Sequence, residues 1–235
     1  MSLRLVHCLG YCQIPPSFKS RRRFGVPTGG PFDGESATIA QRLANTEDPC
    51  FELAFGEADF IADQPARVAV IGAIGSISLN GKSMREAAFD VNPSDTIRVQ
   101  VGRFGARLYV ACGSQTNTHP VALSDPLESL SNQEIRVMPG PQSHMFPQRL
   151  NELTVSPTLD RIGIRCEKTD LTHQFELPSE PACVGAIQIT PDGTPIILGP
   201  DGPTIGGYPK IAVVVESDLN KIGQLRPGQM FRLTY

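Results

Sequence analysis

Apolar and polar positions alternate along most of this chain in short runs broken by glycine and proline, the pattern of β-strands rather than of helices. Residues 67–73 and 76–79 are apolar and β-branched, and Asn80-Gly81 follows them as a two-residue hairpin signal. Residues 95–101 alternate with period two, and 107–112 form a further apolar run after Gly105. In the second half the pattern predicts strands over 153–156, 162–165, 184–189, 195–198, 211–215 and 230–235. Pro191-Asp192-Gly193 turns the chain between two of them. One helix stands out: Asp33 is placed to cap it, Ala37, Ala40, Leu43 and Ala44 recur at helical spacing, and Pro49 limits its far end. Residues 219–225 read as a helical turn closed by Pro227-Gly228. The predicted class is mostly β, with short strands closed into barrels and one or two short helices.

Composition narrows this reading. In 235 residues there are 22 glycines and 21 prolines, which favours many turns over long helices. The length fits one large β domain or two small ones. The polar, Pro/Ser-rich stretch 116–133 is the expected linker, dividing residues 1–128, which carry the helix near 34–45, from residues 129–235. A net charge of −3 gives no reason to expect nucleic acid. The one basic cluster, Lys19-Ser20-Arg21-Arg22-Arg23, reads either as a solvated loop or as an anion contact. Cys8, Cys12, Cys50, Cys112, Cys166 and Cys183 form no CxxC pair, and His7, His119, His144 and His173 supply no metal-ligand or thiol-activating pattern. Reduced thiols and no metal are therefore expected. The first residues hold no long apolar core of a secretory signal, and the longest apolar stretch, 68–74, is too short to cross a bilayer. The expectation is a cytoplasmic protein without a membrane partner.

Chemistry concentrates between Gly185 and Lys210. Gly206-Gly207 either brings the backbone close to a ligand or marks a turn. Tyr208 either orients a carboxylate or carbonyl or is a half-buried barrel aromatic, and Lys210 either holds a carboxylate or phosphate or is a solvated strand-edge lysine. Gln188 points opposite to Ile187 and Ile189, so it reads as an inward amide in a barrel mouth that needs a partner or a ligand. Asp201 is a general base or a turn former, and Thr204 bonds a ligand or its own turn. Arg161 is a carboxylate clamp or half of a structural ion pair. Gly29 and Gly30 lead into the helix start, a geometry that suits an anion, although Asp33 most simply caps the helix. Asn45 and Glu52 read as a hydrogen-bonded pair.

These residues carry a family resemblance. Gly25-Val-Pro-Thr-Gly29-Gly30-Pro-Phe-Asp33, with Ala44-Asn45 and Glu52-Leu53 after it, resembles the entry motif of the allophanate hydrolase subunit 2 family. That family takes in the C subunit of 5-oxoprolinase, an antagonist of a kinase inhibitor, and part of the carboxyltransferase domain of urea amidolyase. Gly113-Ser114 with Thr116, Pro139-Gly140-Pro141-Gln142, Asp160-Arg161-Ile162-Gly163, the stretch from Gly185 to Lys210, and Asp218 with Gln224-Leu-Arg-Pro-Gly228 resemble its later segments, in order. Two departures stand out. The usual Asp-x-Gly-Arg element reads here as Ser17-Phe18-Lys19-Ser20-Arg21-Arg22-Arg23-Phe24-Gly25 without the aspartate, and the glycine-rich insertion before Gly113 is gone.

The resemblance implies cyclophilin-like β-barrels and a subunit of an ATP-dependent amidohydrolase of 5-oxoprolinase type. Such an enzyme converts 5-oxoproline, ATP and water to glutamate, ADP and phosphate. It also implies a subunit 1-like partner and, in the 5-oxoprolinase case, a lamB/YcsF-type subunit. The alternatives are a carboxyltransferase subunit acting on urea or a similar amide, with biotin carried by a partner, and a non-catalytic regulator that binds a subunit 1-like kinase inhibitor. No Gly-x-x-x-x-Gly-Lys-Ser/Thr or Gly-x-Gly-x-x-Gly stretch is present, so an ATP site is not legible in the sequence. Within this reading Asp201, Tyr208 and Lys210 are the expected catalytic residues. Gln188, Thr204, Gly206, Gly207, Arg161, Gly29 and Gly30 are the expected substrate-binding residues.

Overall fold

The computed structural model describes residues 2–115, 121–122 and 133–235, so almost all of the expected linker, with Thr116 and His119, lies outside the described residues. The chain divides into two compact units: Met1–Pro15 with Asp33–Leu130, and Pro16–Phe32 with Ser131–Tyr235. A cut in linear chain order does not express this division, because residues 16–32 pack with the C-terminal half.

The first unit is a nine-stranded sheet. Its strands are β1 (Leu3–Gln13), β2 (Phe51–Ala62), β3 (Ala66–Gly72), β4 (Ile74–Leu79), β5 (Lys82–Ser83), β6 (Glu86–Val91), β7 (Thr96–Val101), β8 (Arg107–Gly113) and β9 (Val121–Ala122). Their order is β5-β4-β7-β2-β8-β3-β6-β9, with β1 paired to β2. Asn80 and Gly81, at φ 51° and 76°, make the predicted hairpin between β4 and β5.

Helix α1 (Gly34–Leu43) begins where Asp33 accepts the Ser36 N–H at 3.0 Å and the Ser36 hydroxyl at 2.7 Å. Its buried face is Ala37 and Ala40, continued by Ala44, and it packs on Ala69, Ala88, Tyr109 and Ala111, where small side chains let helix and sheet approach closely. The Asp33 N–H donates to the Tyr109 hydroxyl, which donates in turn to Glu52, each at 2.8 Å. Burial, with Glu52 and Asp33 nearby, pushes the Tyr109 phenol well above its ordinary pKa, so it stays a donor. Asn45 takes the left-handed conformation at the helix end, φ 54°.

The second unit is a closed seven-stranded barrel. It uses β10 (Gln133–Pro139), β11 (Glu152–Leu159), β12 (Gly163–Cys166), β14 (Ala186–Ile189), β15 (Pro195–Leu198), β17 (Lys210–Val214) and β18 (Met230–Thr234). The cyclic order is β10-β17-β14-β15-β12-β11-β18, closed by the parallel pairing of β10 with β18. Ile135, Val155, Ile164, Ile187, Ile189, Ile197, Ile211 and Phe231 fill the interior, each fully buried or nearly so. Helix α2 (Leu219–Gly223) adds Ile222 to that core. A two-stranded clip lies apart from the barrel: β13 (Glu180–Pro181) pairs with β16 (Ile205–Gly206). The fold is mostly β with two short helices, as expected.

Candidate functional site

Strand alternation decides which face each barrel residue presents. Ile187 and Ile189 on β14, Ile197 on β15 and Ile164 on β12 fill the interior. Gln188, Ile196 and Arg165 therefore stand on the outer face. The register aligns them in one row: Arg165 opposite Ile196, Ile196 opposite Gln188, and Gln188 opposite Lys210 on β17. The expectation of an inward amide is thus corrected. Gln188 faces away from the barrel core and is buried from outside, at 4% exposure.

Two loops cover this face. One joins β12 to β14 and carries Phe175 to Glu180; the other joins β15 to β17 and carries Thr204 to Tyr208. The β13–β16 clip ties them together, and the Ala182 N–H donates to the Thr204 carbonyl beside it. His173 holds the first loop. Its Nε2 lies 3.0 Å from the Ile189 carbonyl and its Nδ1 accepts the Phe175 N–H at 3.1 Å, so these partners assign the proton to Nε2. The His173 and Phe175 rings stack with centroids 4.8 Å apart.

Between loops and sheet lies a cavity of about 480 Å³. Gln188, Ile196 and Leu198 make its sheet side, and Phe175, Leu177, Gly206, Gly207 and Tyr208 its covering side. Arg165 and Glu176 are the charged residues on its lining. The Gln188 amide nitrogen is buried and has no hydrogen-bond partner among the described residues. A buried amide donor without a partner costs about 1–3 kcal/mol, and native interiors rarely keep one. A Cβ at Gly206 would stand 3.1 Å from that nitrogen, and one at Gly207 would stand 3.1 Å from the Leu177 carbonyl. The glycine pair lets the covering loop pass close over the amide; neither glycine needs a positive φ.

The other expected site residues have different surroundings. Lys210 is buried and extends the Gln188 row, but it does not line the cavity. Its ammonium pairs with Glu180 at 3.2 Å, and Gln142 bridges the two, donating to Glu180 at 2.9 Å and accepting the Lys210 N–H at 3.1 Å. Hydrogen bonds from Lys210 and then Gln142 hold the Glu180 carboxyl below its ordinary pKa. Arg161 forms a two-pronged pair with Asp201, at 2.8 and 3.0 Å, and donates to the Gly30 carbonyl at 2.6 Å. Of the two readings left open for Arg161, this is the structural ion pair, and Arg161, Asp201 and the buried Thr204 all lie outside the cavity lining.

Gly29 and Gly30 have φ 62° and 83°, and a Cβ at Gly29 would meet the Pro16 carbonyl at 2.0 Å. Their N–H groups already donate to the Pro200 and Pro16 carbonyls at 2.9 and 2.8 Å. The helix that follows is capped by the Asp33 carboxylate. The donor set of this loop does not fit a nucleotide phosphate, since its donors are already engaged.

Sequence reasoning missed Arg165, Glu176, Phe175 and the Glu180–Gln142 bridge. Arg165 carried a usable signal, being a charged residue between the apolar Ile164 and Cys166 on a predicted strand. The loop residues carried none.

Comparison with known proteins agrees with this architecture. The family profile "Carboxyltransferase domain, subdomain A and B" matches residues 24–125 and 113–235. Among characterised relatives, the C subunit of 5-oxoprolinase from Haemophilus influenzae is 30% identical over 178 residues, covering 70% of this chain and 56% of that protein. Urea amidolyase of Lachancea kluyveri is 25% identical over 88% of this chain and 15% of its own length. The chain therefore matches only about half of the first relative and a small part of the second. A crystal structure of TTHA0988 superposes with a TM-score of 0.81 at 23% identity, covering 94% of this chain and 53% of that one, a likeness of fold. With its profile match running through both units, the chain belongs to the family of the carboxyltransferase domain, subdomain A and B.

Proposed function

We propose that this chain is a subunit of an ATP-dependent amidohydrolase of 5-oxoprolinase type, and that the outer-face cavity of its barrel receives the amide of the substrate. The observation that carries the reading is Gln188, which lines a largely apolar cavity and whose buried amide nitrogen has no hydrogen-bond partner among the described residues. A lactam offers the carbonyl that this donor lacks. The likeness to the Haemophilus influenzae 5-oxoprolinase component supports the same reading.

In this reading Gln188 orients the substrate carbonyl. Gly207 and Tyr208, whose N–H groups donate to no carbonyl among the described residues, supply donors for the negative charge that grows on that oxygen. Tyr208 stands beside them at the cavity wall, and Phe175, Leu177, Ile196 and Leu198 give the reacting carbon an apolar surround. Lys210 acts through Glu180, fixing the clip that carries Gly206. In this reading ATP is bound together with the partner subunits, a subunit 1-like protein and a lamB/YcsF-type subunit.

A second reading, carboxyl transfer to urea or a similar amide from biotin on a partner, is favoured by the urea amidolyase match along 88% of the chain. The two readings separate in one assay: ATP-dependent glutamate release from 5-oxoproline, with the chain and its partner subunits combined and each omitted in turn. The proposal requires release that disappears when this chain is omitted. A complete complex that releases no glutamate, yet carboxylates urea when given carboxybiotin carrier, refutes it in favour of the second reading.

A further inference from the structure

We infer that Arg165 is the carboxylate anchor of this cavity, so that its ligand is a small amide or lactam bearing a carboxylate rather than a neutral amide. The inference rests on the reading that the cavity receives the substrate amide, and it adds a specificity-determining residue to it.

Three observations carry it. First, Arg165 lines the same cavity as Gln188 and stands in the same cross-strand row, with only Ile196 between them. Two interstrand steps put the Arg165 and Gln188 backbones roughly 10 Å apart. Side chains reaching inward from each leave room for a ligand a few ångströms across, with its anion at one end and its amide at the other.

Second, the Arg165 side chain has no hydrogen-bond or ion-pair partner among the described residues, although Glu176 lines the same cavity. Arg161, just before the same strand, is by contrast saturated by Asp201 and Gly30. A guanidinium left open beside a cavity is suited to a two-pronged carboxylate. Third, the surface between the two polar groups is the apolar side chain of Ile196, with Leu198, Phe175 and Leu177 around it. That arrangement suits a compact hydrocarbon ring or chain joining a carboxylate to an amide. Urea has no anionic group for Arg165 and no apolar part for Ile196.

The lining residues all belong to one unit of this chain, so the test uses the chain by itself. The test is ligand-observed saturation-transfer NMR with 5-oxoproline, 2-pyrrolidinone (the same lactam without the carboxylate) and urea, on the wild-type chain, R165Q, R165K and Q188L. Arg165 is exposed, so its variants keep the fold. The wild type is expected to bind 5-oxoproline at least tenfold more tightly than 2-pyrrolidinone. R165Q is expected to lose that preference while holding 2-pyrrolidinone as before, and R165K to keep part of it.

Equal binding of the two lactams by the wild type, or an unchanged preference in R165Q, overturns the role of Arg165 and leaves the amide site standing. Displacement of 5-oxoproline by inorganic phosphate at similar concentration reassigns the guanidinium to a phosphate and also overturns it. Failure of either lactam to bind, or binding by Q188L equal to that of the wild type, refutes the cavity reading itself and this inference with it.

Discussion

Replacing Gln188 by leucine separates a ligand site from an ordinary core position, because the two roles move stability and binding in opposite directions. The side chain is 4% exposed, its amide nitrogen has no partner among the described residues, and its neighbours on the same face include Ile196, Ala186 and Leu198. Leucine is apolar and of comparable volume, with a side chain one atom shorter. The substitution removes an unsatisfied buried donor, a penalty of about 1–3 kcal/mol, and continues the apolar cluster. A unit of about a hundred residues moves its midpoint by roughly 4 °C or more per kcal/mol. The melting temperature of the second unit is therefore expected to rise by about 4–12 °C in Q188L. Lactam binding and, in the assembled complex, glutamate release are expected to fall at least tenfold. Differential scanning calorimetry and the release assay read the two quantities. A Q188L variant that melts lower than the wild type would mean that the amide is satisfied in the native protein, and the reasoning from its missing partner would be refuted.

Further outcomes follow from the surrounding ion pairs and thiols. Asp201→Asn is expected to lower stability by about 1–2 kcal/mol through the lost pair with Arg161, without changing lactam affinity; a tenfold loss of affinity would make Asp201 part of the site. Hydrogen bonds from Arg136 hold the Asp218 carboxyl well below its ordinary value of 3.8, so its contribution is present above that value and is lost as pH falls through the depressed one. Asp218→Asn should thus lower the melting temperature at pH 7 and much less in strong acid, and a pH-independent difference would contradict this. Burial pushes the thiols of Cys12, Cys50 and Cys166 up to about 12, 11 and 12, whereas Cys183 is exposed. Iodoacetamide at pH 8 should therefore label Cys183 first by mass spectrometry, and prior labelling of Cys166 would show that the barrel opens readily.

Much of the second unit is legible in its alternation. The strands over 195–198 and 230–235, the Pro191-Asp192-Gly193 turn and the helical turn after 219 all follow from local pattern. Strand β1 escaped because irregularities between Leu5 and His7 and between Leu9 and Tyr11 break its period. The alternation around Gln188 showed that it opposes Ile187 and Ile189, but not which side was the core. That depends on barrel closure, a long-range property, and the amide proved to face outward beneath two loops. Lys210 was ambiguous for a similar reason: its partner Glu180 lies 30 positions earlier, in a segment with no regular pattern of its own. For Arg161 the sequence left a clamp and an ion pair equally open, and the 2.8 Å contact with Asp201 decides between them.

The most direct test of the central claim is the side-chain amide resonance of Gln188 in the ¹⁵N-labelled chain, identified by its disappearance in Q188L. Titration with 5-oxoproline is predicted to move this resonance in a saturable way, with the Gly206 and Gly207 backbone signals moving alongside it. A Gln188 amide that stays fixed while the lactam binds elsewhere on the chain would contradict the assignment of this cavity as the substrate site.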